Sequence, residues 1–290
     1  MSVNTDRMND APPGSSEAWD NIWKGLSQGD ATRKKVFTRG LPQTIHQFWQ
    51  RAYFEDLMQI IQPRRDQRML ELASGRGTTS LYLAANGFTG ITLLDLSSTA
   101  LEQAAQNFQS EGLPTPTLVS GNALETKLPG ASFDCIYNIG VLEHFEDPQP
   151  FLQETFRLLA PGGKIFMPIV PQMPFMNSLV CRALFNPVTI LKKLVKIAIR
   201  FQQPADESMV RTEHDRHVYV RVARDAGFER VACIPYNPYW LINDDGWFLD
   251  RVVLPLYRAH HELKKMAGVR PAFKALGCNA SCYLLTASKK

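Results

Sequence analysis

The run from Glu71 to Ser80, ELASGRGTTS, sets an acid, two glycines and several hydroxyls between the apolar Met69-Leu70 and the helix-like Leu81 to Ala85. In physical terms this is a strand ending in a carboxylate, then a tight turn, then a helix start. Gly75 and Gly77 lack Cβ, so the backbone can turn sharply and touch a ligand directly. The helix that follows aims its free N–H groups back at the turn, where they attract a polar group. Further on, Ile91-Thr92-Leu93-Leu94 reads as a buried strand that ends in a second acid, Asp95, 18 residues past Gly77. At that distance a carboxylate can accept two hydrogen bonds from a sugar diol in a doubly wound sheet; the plainer alternative is a helix N-cap or a surface acid. These residues describe a device for holding the polar end of a nucleotide-like ligand.

A dinucleotide site calls for G-x-G-x-x-G, and here Ser80 stands in the third glycine position, so that fingerprint is incomplete. The acid ahead of the turn points elsewhere. Glu71 to Gly77 resembles motif I of class I S-adenosylmethionine (SAM) methyltransferases, an acid followed by G-x-G-x-G, with Ala73 in place of the first glycine. The stretch from Ser120 to Pro148 resembles the same superfamily. Gly121-Asn122-Ala123 matches a turn that usually reads G-D-A, where the acid accepts from the adenine amino group; the amide carbonyl of Asn122 can still accept, without charge. Leu128-Pro129 and Phe133-Asp134 lead into a fourth strand, Cys135 to Asn138, and Leu142-Glu143-His144 matches the L-E-H that often follows it. Arg157 to Gly163 matches a helix end and turn, with Gly162 and Gly163 suited to a helix C-cap, before a fifth strand at Ile165 to Met167. Together these matches cover about Met69 to Val170, a third of the chain, in the superfamily's order and spacing, and they point to its quinone-ring and small-molecule subgroup.

The resemblance implies an α/β fold: a Rossmann-like, seven-stranded, mostly parallel sheet with helices on both faces, closed by an antiparallel pair of strands. It implies S-adenosyl-L-methionine as cofactor and methyl transfer to O, N or C of a small or amphiphilic molecule. The cofactor residues it implies are Glu71, Ala73, Ser74, Gly75 and Gly77 at the turn, Asp95 and Leu96 at the ribose and adenine edge, Gly121, Asn122 and Ala123, and Asn138 and Ile139 after the fourth strand. Methyl transfer from a sulfonium needs in-line positioning and exclusion of water, and a base only where the nucleophile carries a proton that must leave. His144 is the leading base candidate by its place after the fourth strand, with a structural contact as its alternative; His214 and His217, at the end of an insertion, either face the substrate or merely start a helix. Glu143 reads as structural. Two other functions stay open: a SAM-binding protein without transferase activity, to which Ala73 and Asn122 would suit, and an NAD or nucleotide-sugar oxidoreductase, against which Ser80 counts.

The surrounding chain divides into a polar, Pro- and Gly-containing tail (1–16) expected to be disordered, an N-terminal helical segment (17–66), the SAM-binding core (67–170), a helical cap insertion (171–215) and a C-terminal completion of the core (216–290). Trp19 and Trp23 share one face of a short helix, which either staples onto the core or covers the cofactor pocket. Residues 188–201 read as a basic amphipathic helix, for capping the substrate, plain packing or peripheral membrane contact. Asn237-Pro238-Tyr239-Trp240 resembles the N-P-P-Y of nucleobase amine methylating enzymes, but it lies about 100 residues past the fourth strand, which disfavours that reading.

A net charge of +4 over 290 residues does not call for nucleic acid. The five cysteines, with no C-x-x-C pair, read as reduced thiols of a cytoplasmic protein, and the histidine pairs lack the carboxylate partners of a metal site. The N-terminus has no apolar signal core and no run reaches the roughly 20 apolar residues that span a bilayer. The oligomeric state is left open by the sequence.

Overall fold

The computed structural model describes residues 14–28, 37–171, 211–239, 249–275 and 280–290. Residues 1–13 of the expected disordered tail, all but the ends of the cap insertion, and the basic helix at 188–201 lie outside the described residues; the tail's last residue, Ser16, instead begins a helix.

A seven-stranded sheet has the order β3-β2-β1-β4-β5-β7-β6. Its strands are β1 (Met69–Leu72), β2 (Ile91–Asp95), β3 (Thr117–Ser120), β4 (Phe133–Tyr137), β5 (Leu159–Ile169), β6 (Glu229–Tyr236) and β7 (Cys282–Ser288). β1 pairs in parallel with β2 and β4, while β7 runs antiparallel between β5 and β6. The strand order reverses between β1 and β4, so the carboxyl ends of those strands open a crevice, the place where doubly wound sheets bind ligands. β1 is buried at all four positions and β2 at four of five. That is the near-continuous apolar run expected of strands covered on both faces.

Helices α1 (Ser16–Gln28), α2 (Ile45–Ile61), α3 (Thr78–Ala85), α4 (Ser98–Ser110), α5 (Gln149–Leu158), α6 (Arg216–Asp225) and α7 (Leu254–Met266) surround the sheet. Two apolar clusters result, one joining residues of α2, α3 and α4 to the sheet and the other residues of α5 and α6. α2 is fixed at its start by the Thr44 side chain, which accepts from Gln47 N–H, and at its middle by buried Asp56, which accepts from Tyr236 Oη (2.9 Å) and from Ala272 and Phe273 N–H (3.0 and 3.1 Å).

Gly162 and Gly163 do not cap a helix. α5 ends at Leu158, and Leu159 already pairs with Phe133 as strand. The glycines serve an irregularity in the β4–β5 pairing: a Cβ on Gly163 would meet Leu159 Cγ at 2.7 Å and the Ala160 carbonyl at 2.8 Å. Among the described residues, no helix is long and apolar enough to cross a membrane.

Candidate active site at the carboxyl rim

The loop after β1 is built on left-handed backbone. Ala73, Gly75 and Gly77 have φ of +50°, +52° and +65°. A Cβ on Gly77 would stand 2.7 Å from Leu93 Cδ1, so this glycine is required by packing as well as by the turn, and it is the N-cap of α3. Ala73 carries its Cβ into a conformation that costs an L-residue on the order of 1–2 kcal/mol. Beneath the loop, the Glu71 carboxylate accepts from the Ser80 hydroxyl and from Ser80 N–H (3.3 Å), and Ser80 Oγ lies 2.6 Å from Tyr137 Oη. Burial pushes the Glu71 pKa up to about 8 against the Ser80 hydrogen bonds, with the Asp95 charge adding to the rise. In this structure Glu71 braces the start of α3 from below.

Asp95 closes the other side of the crevice. Its Oδ2 accepts from Gly75 N–H (2.7 Å) and its Oδ1 from Ser97 N–H (2.8 Å), so one carboxylate ties the β1 loop to the β2 loop. Burial raises its pKa, and the N–H groups of Ser97 and Gly75 oppose the rise. Each oxygen keeps a second acceptor site for a ligand hydroxyl. Ser97, not Asp95, caps α4, accepting from Ala100 N–H. Asn138, just past β4, is fully buried, and among the described residues neither its amide atoms nor the buried Ser74 Oγ has a hydrogen-bond partner. Buried polar groups seldom stay unpaired, so these atoms mark where a polar ligand completes the structure. Ile139 packs on the first apolar cluster beside them. The fit to an adenosyl amino acid is good: a left-handed glycine loop, a fixed carboxylate and unpaired amide and hydroxyl groups share one rim.

Asn122 departs from expectation. It is exposed, and its Oδ1 accepts from Leu124 N–H (2.9 Å), so the amide is engaged in closing its own turn between Gly121 and buried Ala123. His217 also departs: it sits in the first turn of α6 with its side chain 77% exposed, 3.8 Å from Asp215, the residue that caps the helix. Its place follows from the Asp215 N-cap beside it, and among the described residues it lines no enclosed site. His214 Nε2 lies 2.8 Å from the Glu146 carbonyl, and its ring meets Tyr219 edge-on, tying this segment to the loop after β4. Asn237 is committed to the core, donating to Tyr53 Oη (3.1 Å) and accepting from Tyr239 N–H (3.0 Å), which leaves no amide for a nucleobase amine.

α1 lies across this rim, a placement the tryptophan spacing offered as one of two alternatives. Ser16 Oγ donates to the Leu96 carbonyl (3.1 Å), and Asp20 accepts from Ser97 Oγ and from Thr99 N–H (3.2 Å). Gln103 Nε2 donates to the Trp23 carbonyl (3.1 Å). The Trp23 indole rests on Gly75, where a Cβ would come within 2.6 Å of it, and Trp19 meets the His144 ring edge-on at 5.7 Å. One helix thereby touches the loops after β1, β2 and β4.

A doubly wound sheet with such a rim defines a nucleotide-cofactor α/β protein. A model of the methyltransferase domain matches residues 70–167. A ubiquinone/menaquinone biosynthesis C-methyltransferase of Roseobacter denitrificans is 26% identical over 215 residues, 72% of this chain and 83% of that protein. One of the same description from Proteus mirabilis is 31% identical over 126 residues, 42% of this chain and 49% of its own length. Among solved structures, phosphoethanolamine N-methyltransferase 2 of Haemonchus contortus, in complex with SAM, superposes with a TM-score of 0.53 at 18% identity, over 82% of this chain and 52% of that one. The [4+2]-cyclase SpnF superposes with a TM-score of 0.53 at 17% identity, over 85% and 82%. Those two likenesses speak for the fold alone, which hosts more than one chemistry. Residues 70–167 match a methyltransferase domain, and with these relatives the chain is a SAM-dependent methyltransferase.

Proposed function

We propose that this methyltransferase binds S-adenosylmethionine along the carboxyl ends of β1, β2 and β4 and methylates a small, amphiphilic, ring-bearing acceptor. The observation that carries the reading is the Asp95 carboxylate at the end of β2, held by Gly75 and Ser97 N–H groups, with the unpaired Asn138 amide just past β4 on the other side of β1. In this reading the Gly75 loop and Ser74 receive the amino-acid tail, Asp95 the ribose diol, and Leu96, Gly121 and Ala123 the adenine side, with Asn122 holding the turn. SAM supplies an electrophilic methyl group on a sulfonium with a neutral thioether as leaving group. The chain orients the reactants and excludes water, and α1 with Trp19 and Trp23 provides the cover. Positioning of that kind supplies on the order of 7–11 kcal/mol in favourable intramolecular cases.

Relatives described as quinone-pathway C-methyltransferases support a ring acceptor, and transfer to carbon over nitrogen. The insertion at 171–215 is in this reading a substrate cap. The test is product analysis: release of S-adenosylhomocysteine with alkylated hydroquinones, simple phenols and phosphorylated ethanolamines as acceptors, followed by mass and NMR location of the methyl group. Ring methylation of the hydroquinones supports the reading; turnover confined to the amines overturns it.

A further inference from the structure

The loop after β4 carries a buried acid with one oxygen left unpaired among the described residues. Glu143 lies in the 3-10 turn Leu142–His144 and is 1% exposed. Its backbone carbonyl accepts from Thr212 N–H (2.7 Å), which anchors the main chain, but its side-chain Oε2 has no hydrogen-bond partner among the described residues. A Cβ on Gly140 would stand 3.3 Å from Oε1, so the glycine at φ +71° leaves the space this carboxyl occupies. The carboxyl is sensed by groups from every side. Val170 N–H and its own N–H lean toward it, Arg211 is the nearby cation, and Tyr53 of α2, Tyr219 of α6 and Cys282 of β7 feel its charge. It therefore sits where the carboxyl ends of β4 and β5 meet the amino end of β7, one turn past the unpaired Asn138.

We propose that Glu143 is the catalytic base of this enzyme, taking the proton from an acceptor whose nucleophilic atom carries one: an activated ring C–H or a phenolic O–H rather than a free amine. The inference rests on the methyltransferase reading above. In the step, the acceptor's electron pair forms the new bond to the methyl carbon, the C–S pair stays on sulfur, and the acceptor's proton goes to the Glu143 carboxylate, which returns it to solvent. A buried carboxylate with an unused oxygen suits this task, because an uncompensated buried acceptor is costly unless a ligand pairs with it. Burial, outweighing the two N–H groups and Arg211, raises the pKa to about 7, close to the value that serves both proton uptake and release at neutral pH. Glu143 was read from the sequence as structural, because L-E-H says only that an acid follows the strand.

Two measurements test this together. The first uses the unliganded protein: difference infrared spectra from acid to alkaline pH. The wild-type spectrum minus that of Glu143→Gln, in which the Glu71 contribution cancels, is expected to hold a carboxylic C=O band that disappears near neutral pH; a difference band that titrates in the ordinary carboxylate range, or no such band, overturns the proposal. The second compares Glu143→Gln and Glu143→Asp with wild type on an alkylated hydroquinone. The glutamine variant should lose about 100-fold or more in kcat with its neutral-pH limb, and the aspartate variant should recover part of both. Binding of S-adenosylhomocysteine should stay within about threefold, which separates failure of this proposal from failure of the cofactor reading. Turnover within threefold of wild type with an unchanged pH profile would refute it.

Discussion

Glu71 offers the most quantitative check on the rim. A carboxyl raised from 4.5 to about 8 by burial keeps its proton in the folded protein at neutral pH and releases it on unfolding. Because the folded pKa is the higher one, the associated stability is complete below about pH 4.5 and is lost as pH rises through 8. At 1.36 kcal/mol per pKa unit, the upper bound on that loss is about 5 kcal/mol, of which about 3 kcal/mol has gone by pH 7. Glu71→Gln keeps the shape and one acceptor for Ser80 but cannot titrate. The stability of the variant relative to wild type should therefore climb with pH by up to about 1.4 kcal/mol per pH unit between roughly pH 5 and 8. Urea denaturation across that range measures it. Glu143 titrates in both proteins, so its contribution cancels in the difference. Parallel stability curves for wild type and Glu71→Gln would show that Glu71 is charged in the fold and would refute the reasoning.

Two further perturbations follow from local geometry. Ala73→Gly relieves a β-carbon held at φ +50°, and after the entropic cost of glycine the protein should gain about 0.5–1 kcal/mol in thermal or urea unfolding; a loss of stability would mean the Ala73 methyl packs favourably. Asp20→Ala removes the acceptor for Ser97 Oγ and Thr99 N–H, so amide exchange across residues 16–28 should speed up about tenfold or more while the core strands keep their protection. Unchanged exchange in α1 would show that its other contacts hold it in place.

Much of the rim could be read from the chain because its signals are local. Glu71, Gly75 and Gly77 announce a strand, a turn and a helix within ten residues, and Ile91 to Asp95 is an apolar run ended by an acid. What escaped the reading depends on residues far apart in sequence. Nothing near Asp20 says that it meets Ser97, 77 positions away, or that Trp23 covers Gly75. The isolation of Glu143 exists only once β4, β5 and β7 converge, and local spacing carries no trace of it. For His217 the sequence left a substrate role and a helix start open, and Asp215, two residues earlier, marks the helix start as its N-cap. Gly162 and Gly163 follow a helix, as C-caps do, yet the strand begins before them because Leu159 pairs with Phe133.

The central claim is that an adenosyl cofactor lies across the carboxyl rim with Asp95 at its centre. Isothermal titration of S-adenosylhomocysteine into wild type, Asp95→Asn and Asp95→Ala tests it most directly, with circular dichroism confirming that the variants fold. One-site binding by the wild type is predicted, weakened by about 30-fold or more in Asp95→Ala as two hydrogen bonds to a charged group are lost. No binding by the wild type, or equal affinity in the folded Asp95→Ala variant, would contradict the account.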